Sequence, residues 1–165
     1  MAAGHGTVFP PVSTSQLMSH LNTQLHSYTS TEKYATFLLG IYDEPSGSFT
    51  YTNAGHLPPV MVRNGVGSRL DVNGTVVGAF PFSNYGESRV DLQSGDLLVC
   101  FTDGITEPEN EYGEMFGEER LADLIVRNSD RGEQEIIDIV LQSVRQWTAT
   151  EELQDDMTML VARRL

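Results

Sequence analysis

The run Leu97-Leu98-Val99-Cys100-Phe101 has no polar break, and it passes directly into Thr102-Asp103-Gly104-Ile105-Thr106-Glu107. An apolar stretch of this length, bounded early by Gly95-Asp96, reads as a buried strand that ends at a sheet edge. A carboxylate at the mouth of such a strand presents hard oxygen to a cation. The glycine behind it lets the backbone turn closely past a bound ion. Further on, Asp155-Asp156 opens a second apolar stretch, Met157-Thr158-Met159-Leu160-Val161-Ala162. Two strand-end carboxylates meeting at one edge of a sheet suggest a metal site. The same residues also read as turn punctuation, because Asp-Gly is a frequent turn dipeptide. The pattern alone leaves both readings open.

The rest of the chain reads as one helix, a run of strands, two helices and a last strand. Ser13 or Thr14 caps the first helix, with Leu17, Leu21, Leu25 and Tyr28 expected on its buried face. Phe37 to Tyr42 is a continuous apolar strand, turned by Pro45-Ser46-Gly47 into an antiparallel partner at Phe49-Thr50-Tyr51. Pro59 to Val62 and Arg69 to Val72 suggest a hairpin around Asn64-Gly65 to Gly67. Glu87 to Leu92 alternates as a half-buried strand does. Gly117 to Val126 and Glu133 to Trp147 are helical by period, the second with the stripe Ile136, Ile137, Val140, Leu141, Val144 and Trp147. There are no internal repeats.

With 165 residues the chain has the length of one domain with a sizeable core. Its 23 Asp and Glu against 10 Lys and Arg give a net charge of −13, which argues against nucleic acid as a partner. No apolar run reaches membrane-spanning length and no signal-peptide pattern opens the chain, so no membrane insertion is expected. The lone Cys100 falls within a core strand and reads as a small hydrophobe, consistent with a reducing, cytoplasmic location.

Several segments then fall into a familiar order. Leu21-Asn22 lies in the first helix and Tyr34-Ala35-Thr36-Phe37 precedes the first strand. Tyr51-Thr52-Asn53-Ala54-Gly55-His56-Leu57-Pro58-Pro59 and Gly78-Ala79-Phe80 follow. Ser94-Gly95-Asp96-Leu97-Leu98 runs on to Glu107, then come Gly113-Glu114-Met115-Phe116-Gly117 and Asp155-Asp156-Met157-Thr158. From about Ser15 onward the chain resembles the bacterial PP2C-like protein serine/threonine phosphatases of the SpoIIE/RsbU type. The resemblance implies an α+β fold, a two-sheet antiparallel β-sandwich flanked by helices in α-β-β-α layers. It also implies two Mn2+ or Mg2+ ions held between carboxylates, with a bridging water that attacks the phosphorus of a phosphoserine or phosphothreonine. By the same resemblance Asp103 and Asp155 correspond to metal-binding aspartates, while Gly104 and Asp156 stand beside them. The substrate it implies is a phosphorylated regulatory protein of the anti-sigma-factor-antagonist kind.

The chain departs from the family pattern at its start. The family's two opening strands carry a Gly-Gly-Asp-aromatic-Tyr-Asp segment and an Asp-x-Ser-Gly-His/Lys-Gly segment, and neither aspartate is present. Gly4-His5-Gly6 resembles the end of the second, which sets Met1 in place of its aspartate and Ala2 at the position whose carbonyl can act as a ligand. We therefore expect an N-terminally truncated domain: residues 1–11 as leader or remnant of an upstream metal-binding turn, and residues 12–165 as the phosphatase domain. Two hard dications need about twelve oxygen positions between them. Asp103 and Asp155 alone are expected to hold at most one weakly bound ion, making this chain weakly active or inactive. A non-catalytic phosphoprotein-binding module on the same fold is the alternative.

His56 has two readings, positioning of substrate phosphate or a turn in which Asn53 and His56 hydrogen-bond the backbone. His20 and His26 are expected at the surface, and Arg63, Arg69 and Arg89 solvated or paired with local acids. Asn110 to Gly117 resembles the family's flap near the active site. Missing strands leave sheet edges open, so a homodimer through those edges is expected to be possible.

Overall fold

The first helix begins where a hydroxyl can satisfy its free amides. In the computed structural model, which describes residues 12–29, 33–148 and 155–165, Ser13 is the N-cap of α1 (Thr14–Tyr28) and its side chain accepts from Gln16 N–H. The buried positions of α1 are Thr14, Met18 and Asn22. This corrects the expected face: Leu17, Leu21 and Tyr28 are exposed, and only Leu25 of that set packs inward, against Met18, Ala54 and Val77. The reason is polar. Asn22, 1 % exposed, accepts from Gly78 N–H at 2.8 Å and donates to Phe80 C=O at 2.9 Å. The buried Gly78 amide takes its partner from this side chain and so selects the asparagine's face of the helix over the leucines', while Phe80 C=O also accepts from the Ser83 hydroxyl.

Two sheets follow. The first has the order β1-β2-β5, from β1 (Phe37–Asp43), β2 (Ser48–Ala54) and β5 (Ser88–Asp91), all antiparallel. The second has the order β4-β3-β6-β7, from β3 (Val60–Arg63), β4 (Val66–Arg69), β6 (Leu97–Phe101) and β7 (Met159–Arg163), also antiparallel. The β3–β4 hairpin is tighter than expected, its return strand starting at Val66. Asn64 and Gly65, with φ of 51° and 74°, form a two-residue turn whose twist suits the strands. Between β6 and β7 lie the four-residue α2 (Asp103–Thr106), then α3 (Glu118–Arg127) and α4 (Glu133–Thr148).

The pleat of β6 explains its unbroken hydrophobicity. Leu97, Val99 and Phe101 join Val60, Val62, Leu121, Ile125, Ile136, Val140 and Val144 in a core under α3 and α4. The alternate residues Leu98 and Cys100 face the first sheet, in a cluster with Phe49, Tyr51, Leu70 and Leu92. Both faces of the strand are covered, so polar alternation is lost. A third cluster, Met18, Ala54 and Val77, fills the space between α1 and the first sheet. The layers are therefore α-β-β-α, the PP2C-like arrangement expected.

One flank of this sandwich is open. Among the described residues β1 pairs only with β2 and β7 only with β6. Phe37, Tyr42 and Leu160 are exposed on these strands, and a groove of about 770 Å³ enters between the sheets past Tyr42, Phe49, Leu98, Leu160 and Ala162.

Candidate metal centre

The β6–β7 ladder continues one step past its last strand pair. Phe101 lies opposite Met159. Beyond it Thr102 N–H donates to Thr158 C=O at 3.1 Å, and Thr158 N–H donates to the Thr102 hydroxyl oxygen at 3.0 Å. The Thr102 hydroxyl also lies 3.4 Å from the Asp156 carbonyl, to which it donates. These bonds fix two segments that are far apart in sequence. Asp103 follows Thr102 on one strand, Asp155 and Asp156 precede Thr158 on the other, and both acidic segments reach the same edge of the sheet.

Gly104 allows this approach. A Cβ at that position would stand 2.3 Å from the Asp156 carbonyl oxygen, far inside contact distance. The Asp103 segment forms α2 rather than an open turn, with Glu107 N–H donating to Asp103 C=O at 2.8 Å. Asp103 Oδ1 accepts Gly104 N–H at 3.0 Å, and Asp155 Oδ1 accepts Asp156 N–H at 2.7 Å. The three carboxylates are exposed. One oxygen of Asp103 and one of Asp155 are thus engaged locally, and their other oxygens point into no ion pair among the described residues.

The donor set among the described residues does not complete a two-metal group. Among the described residues no cluster of three or more His, Cys, Asp or Glu side chains is placed to hold an ion. Two exposed carboxylates supply only a fraction of the oxygen positions that two hard dications require. Ala2, the expected carbonyl ligand, lies outside the described residues, as does the whole of segment 1–11.

His56 stands nearby, on the wall of a groove of about 420 Å³ shared with Thr36, Phe37, Cys100, Thr102 and Thr158. Its local bonds follow the structural reading: Asn53 Nδ2 donates to His56 C=O at 3.0 Å, and His56 N–H donates to Asn53 Oδ1 at 2.8 Å. The ring Nδ1 lies 3.0 Å from Leu57 C=O. Burial pushes the Cys100 thiol up to about 11, so it stays protonated and inert at neutral pH. Arg63, Arg69 and Arg89 pair with Asp96, Glu118 and Asp91. His20 is exposed, but His26 is half-buried, its Nδ1 lying 2.9 Å from Gly78 C=O, because it neighbours the same loop that Asn22 holds.

Sequence reasoning passed over Thr102 and Thr158, the residues that join the two acidic segments. Their signal was positional: each sits within two residues of an aspartate at a strand end. It also passed over the hold on residues 107–117. There Trp147 Nε1–H donates to Glu114 C=O at 2.9 Å, and Arg120 donates to Phe116 C=O.

The family model for Stage II sporulation protein E matches residues 5–165. Protein IcfG of Synechocystis sp. is 31 % identical over 132 residues, 79 % of this chain and 21 % of IcfG. Phosphoserine phosphatase RsbU of Bacillus subtilis is 28 % identical over 152 residues, 91 % of this chain and 45 % of RsbU. The chain thus spans less than half the length of either relative. Among solved structures, the SiaA-PP2C domain of Pseudomonas aeruginosa superposes with a TM-score of 0.81 at 18 % identity, over 92 % of this chain and 61 % of that one. The chain belongs to the Stage II sporulation protein E (SpoIIE) family, the SpoIIE/RsbU type of PP2C phosphatase domain.

Proposed function

We propose that residues 12–165 form a domain of the kind that hydrolyses phosphoserine or phosphothreonine on a regulatory protein, with Asp103 and Asp155 as its metal-facing carboxylates. The observation that carries this reading is the Thr102–Thr158 tie, which delivers both acidic segments to one sheet edge in a chain of this family. PP2C phosphatases use Mn2+ or Mg2+. The residues here support at most one hydrated ion, and for that reason we assign this chain weak activity or none by itself. An anti-sigma-factor antagonist is the substrate we favour, from the resemblance of the motifs to the SpoIIE/RsbU type; the relative RsbU is a phosphoserine phosphatase. A cytoplasmic location accords with it, and no helix among the described residues is long and apolar enough to cross a membrane.

The exposure of all three carboxylates and the incomplete donor set favour one alternative, a phosphoprotein-binding module that keeps the fold without turnover. Calorimetric titration with Mn2+ separates the two. The phosphatase reading expects binding that weakens when Asp103 or Asp155 is replaced by Ala, and the binding module expects no such response. Hydrolysis of a phosphoseryl protein at an intact enzyme's rate, abolished by Asp103→Ala, would overturn the assignment of inactivity.

A further inference from the structure

The hairpin that leaves α2 is gripped by side chains of α3 and α4. Its two arms are joined by an antiparallel bridge between Glu109 and Met115 and by Phe116 N–H donating to Pro108 C=O at 2.8 Å. Its base closes onto α2 through Gly117 N–H, which donates to Thr106 C=O at 2.8 Å. Phe116 is buried, 2 % exposed, against Trp147 of α4, the two rings meeting edge to face with centroids 6.3 Å apart. Trp147 then donates its indole N–H to Glu114 C=O. Arg120, at the start of α3, lies over Trp147 with its guanidinium carbon 3.8 Å from the ring centroid, and it donates to the carbonyls of Met115 and Phe116.

Arg120 is a surface arginine in an acidic chain, yet among the described residues it pairs with no carboxylate. Its guanidinium is instead committed to an aromatic face and two backbone oxygens. That geometry suits a planar fork that must hold direction, not a charge that seeks a partner. We propose that Arg120, stacked on Trp147, is a positioning residue for Asp103. It holds the returning arm of the hairpin, the arm holds α2 through Gly117 and Thr106, and α2 fixes the backbone of Asp103 through Glu107 N–H. The Asp103 segment is thereby held at both ends, by Thr158 before it and by the Arg120–Trp147 stack behind it. This inference rests on the reading of Asp103 as a metal-facing carboxylate, but the backbone coupling does not.

The test uses the chain's single tryptophan and amide hydrogen exchange, with Mn2+ as the probe of the site. In Arg120→Ala we expect Trp147 emission to shift to the red and exchange to quicken at Gly117 and Glu107, while Val99 and Val140 in the core keep their protection. Where the wild-type chain binds Mn2+, we expect Arg120→Ala to bind it more weakly. Arg120→Lys keeps the charge but loses the planar guanidinium and its fork of donors, and we expect it to behave like Arg120→Ala. Faster exchange confined to residues 110–114, or wild-type exchange restored by Arg120→Lys, would overturn the proposal. A wild-type chain that binds no Mn2+ would sink the metal reading alone, and exchange at Glu107 would still decide whether Arg120 positions this segment.

Discussion

At Gly104 the backbone of one acidic segment lies against the carbonyl of the other, leaving no room for a methyl group. Its backbone lies outside the left-handed region, so the requirement for glycine here is contact and not dihedral freedom. Gly78 is the contrasting case, with φ of 92° and its N–H held by Asn22. We expect Gly104→Ala to cost about 1–3 kcal/mol by thermal unfolding, because the Asp156 carbonyl must be pushed aside. The same change should weaken any Mn2+ binding more than Ala substitution at the exposed Glu111, since it parts the two acidic segments. The need for glycine was visible in the Asp-Gly pair, but what it packs against was not. Asp156 follows it by about fifty residues, and only the strand register brings the two together.

The elements differ in how legibly the sequence announced them. Period and turn chemistry place β6, α3 and α4 nearly as observed, because each buries a full face or stripe. Helix α1 is misread on the same logic: leucine spacing marks a face, but a buried loop amide, Gly78 N–H, turns Asn22 inward. Pairing between β3 and the start of β6 shows the same dominance of polar bonds. Asp96, 3 % exposed, receives two nitrogens of Arg63 and Gln93 N–H at 2.7 Å. Burial pushes its carboxyl up, but the Arg63 hydrogen bonds, the Gln93 amide and the charges of Arg63 and Arg164 outweigh it and hold it below the usual carboxylate range. A depressed carboxyl stabilises the fold above its unfolded pKa of about 3.9, and that stability is lost as pH falls through the lower folded value. We therefore expect Asp96→Asn to be less stable than wild type at neutral pH, with the difference shrinking in strong acid. Chemical denaturation at a series of pH values measures it, and a constant difference across that series would refute the assignment.

For the whole molecule, the layer order was legible because each class of strand has its own pattern, whereas no local pattern marks which strands stand at the sheet edges. Both β1 and β7 leave one ladder edge free among the described residues, and side chains of both strands line the same grooves. Unpaired apolar edges of this kind recruit further strands. We expect concentration-dependent self-association in sedimentation experiments, reduced by Leu160→Lys, which places a charge at an exposed position on the β7 edge. A monomer at every concentration would count against it. The Thr102–Thr158 tie has another consequence, concerning the order in which the protein is made. Asp103, α2 and the hairpin leave the ribosome well before Thr158 exists to bond Thr102. Until β7 is synthesised, the second sheet ends at β6 and the acidic corner has only one wall. A nascent chain therefore carries the hydrophobic core of this domain for some time before its two acidic segments meet, and that meeting waits until β7 has docked.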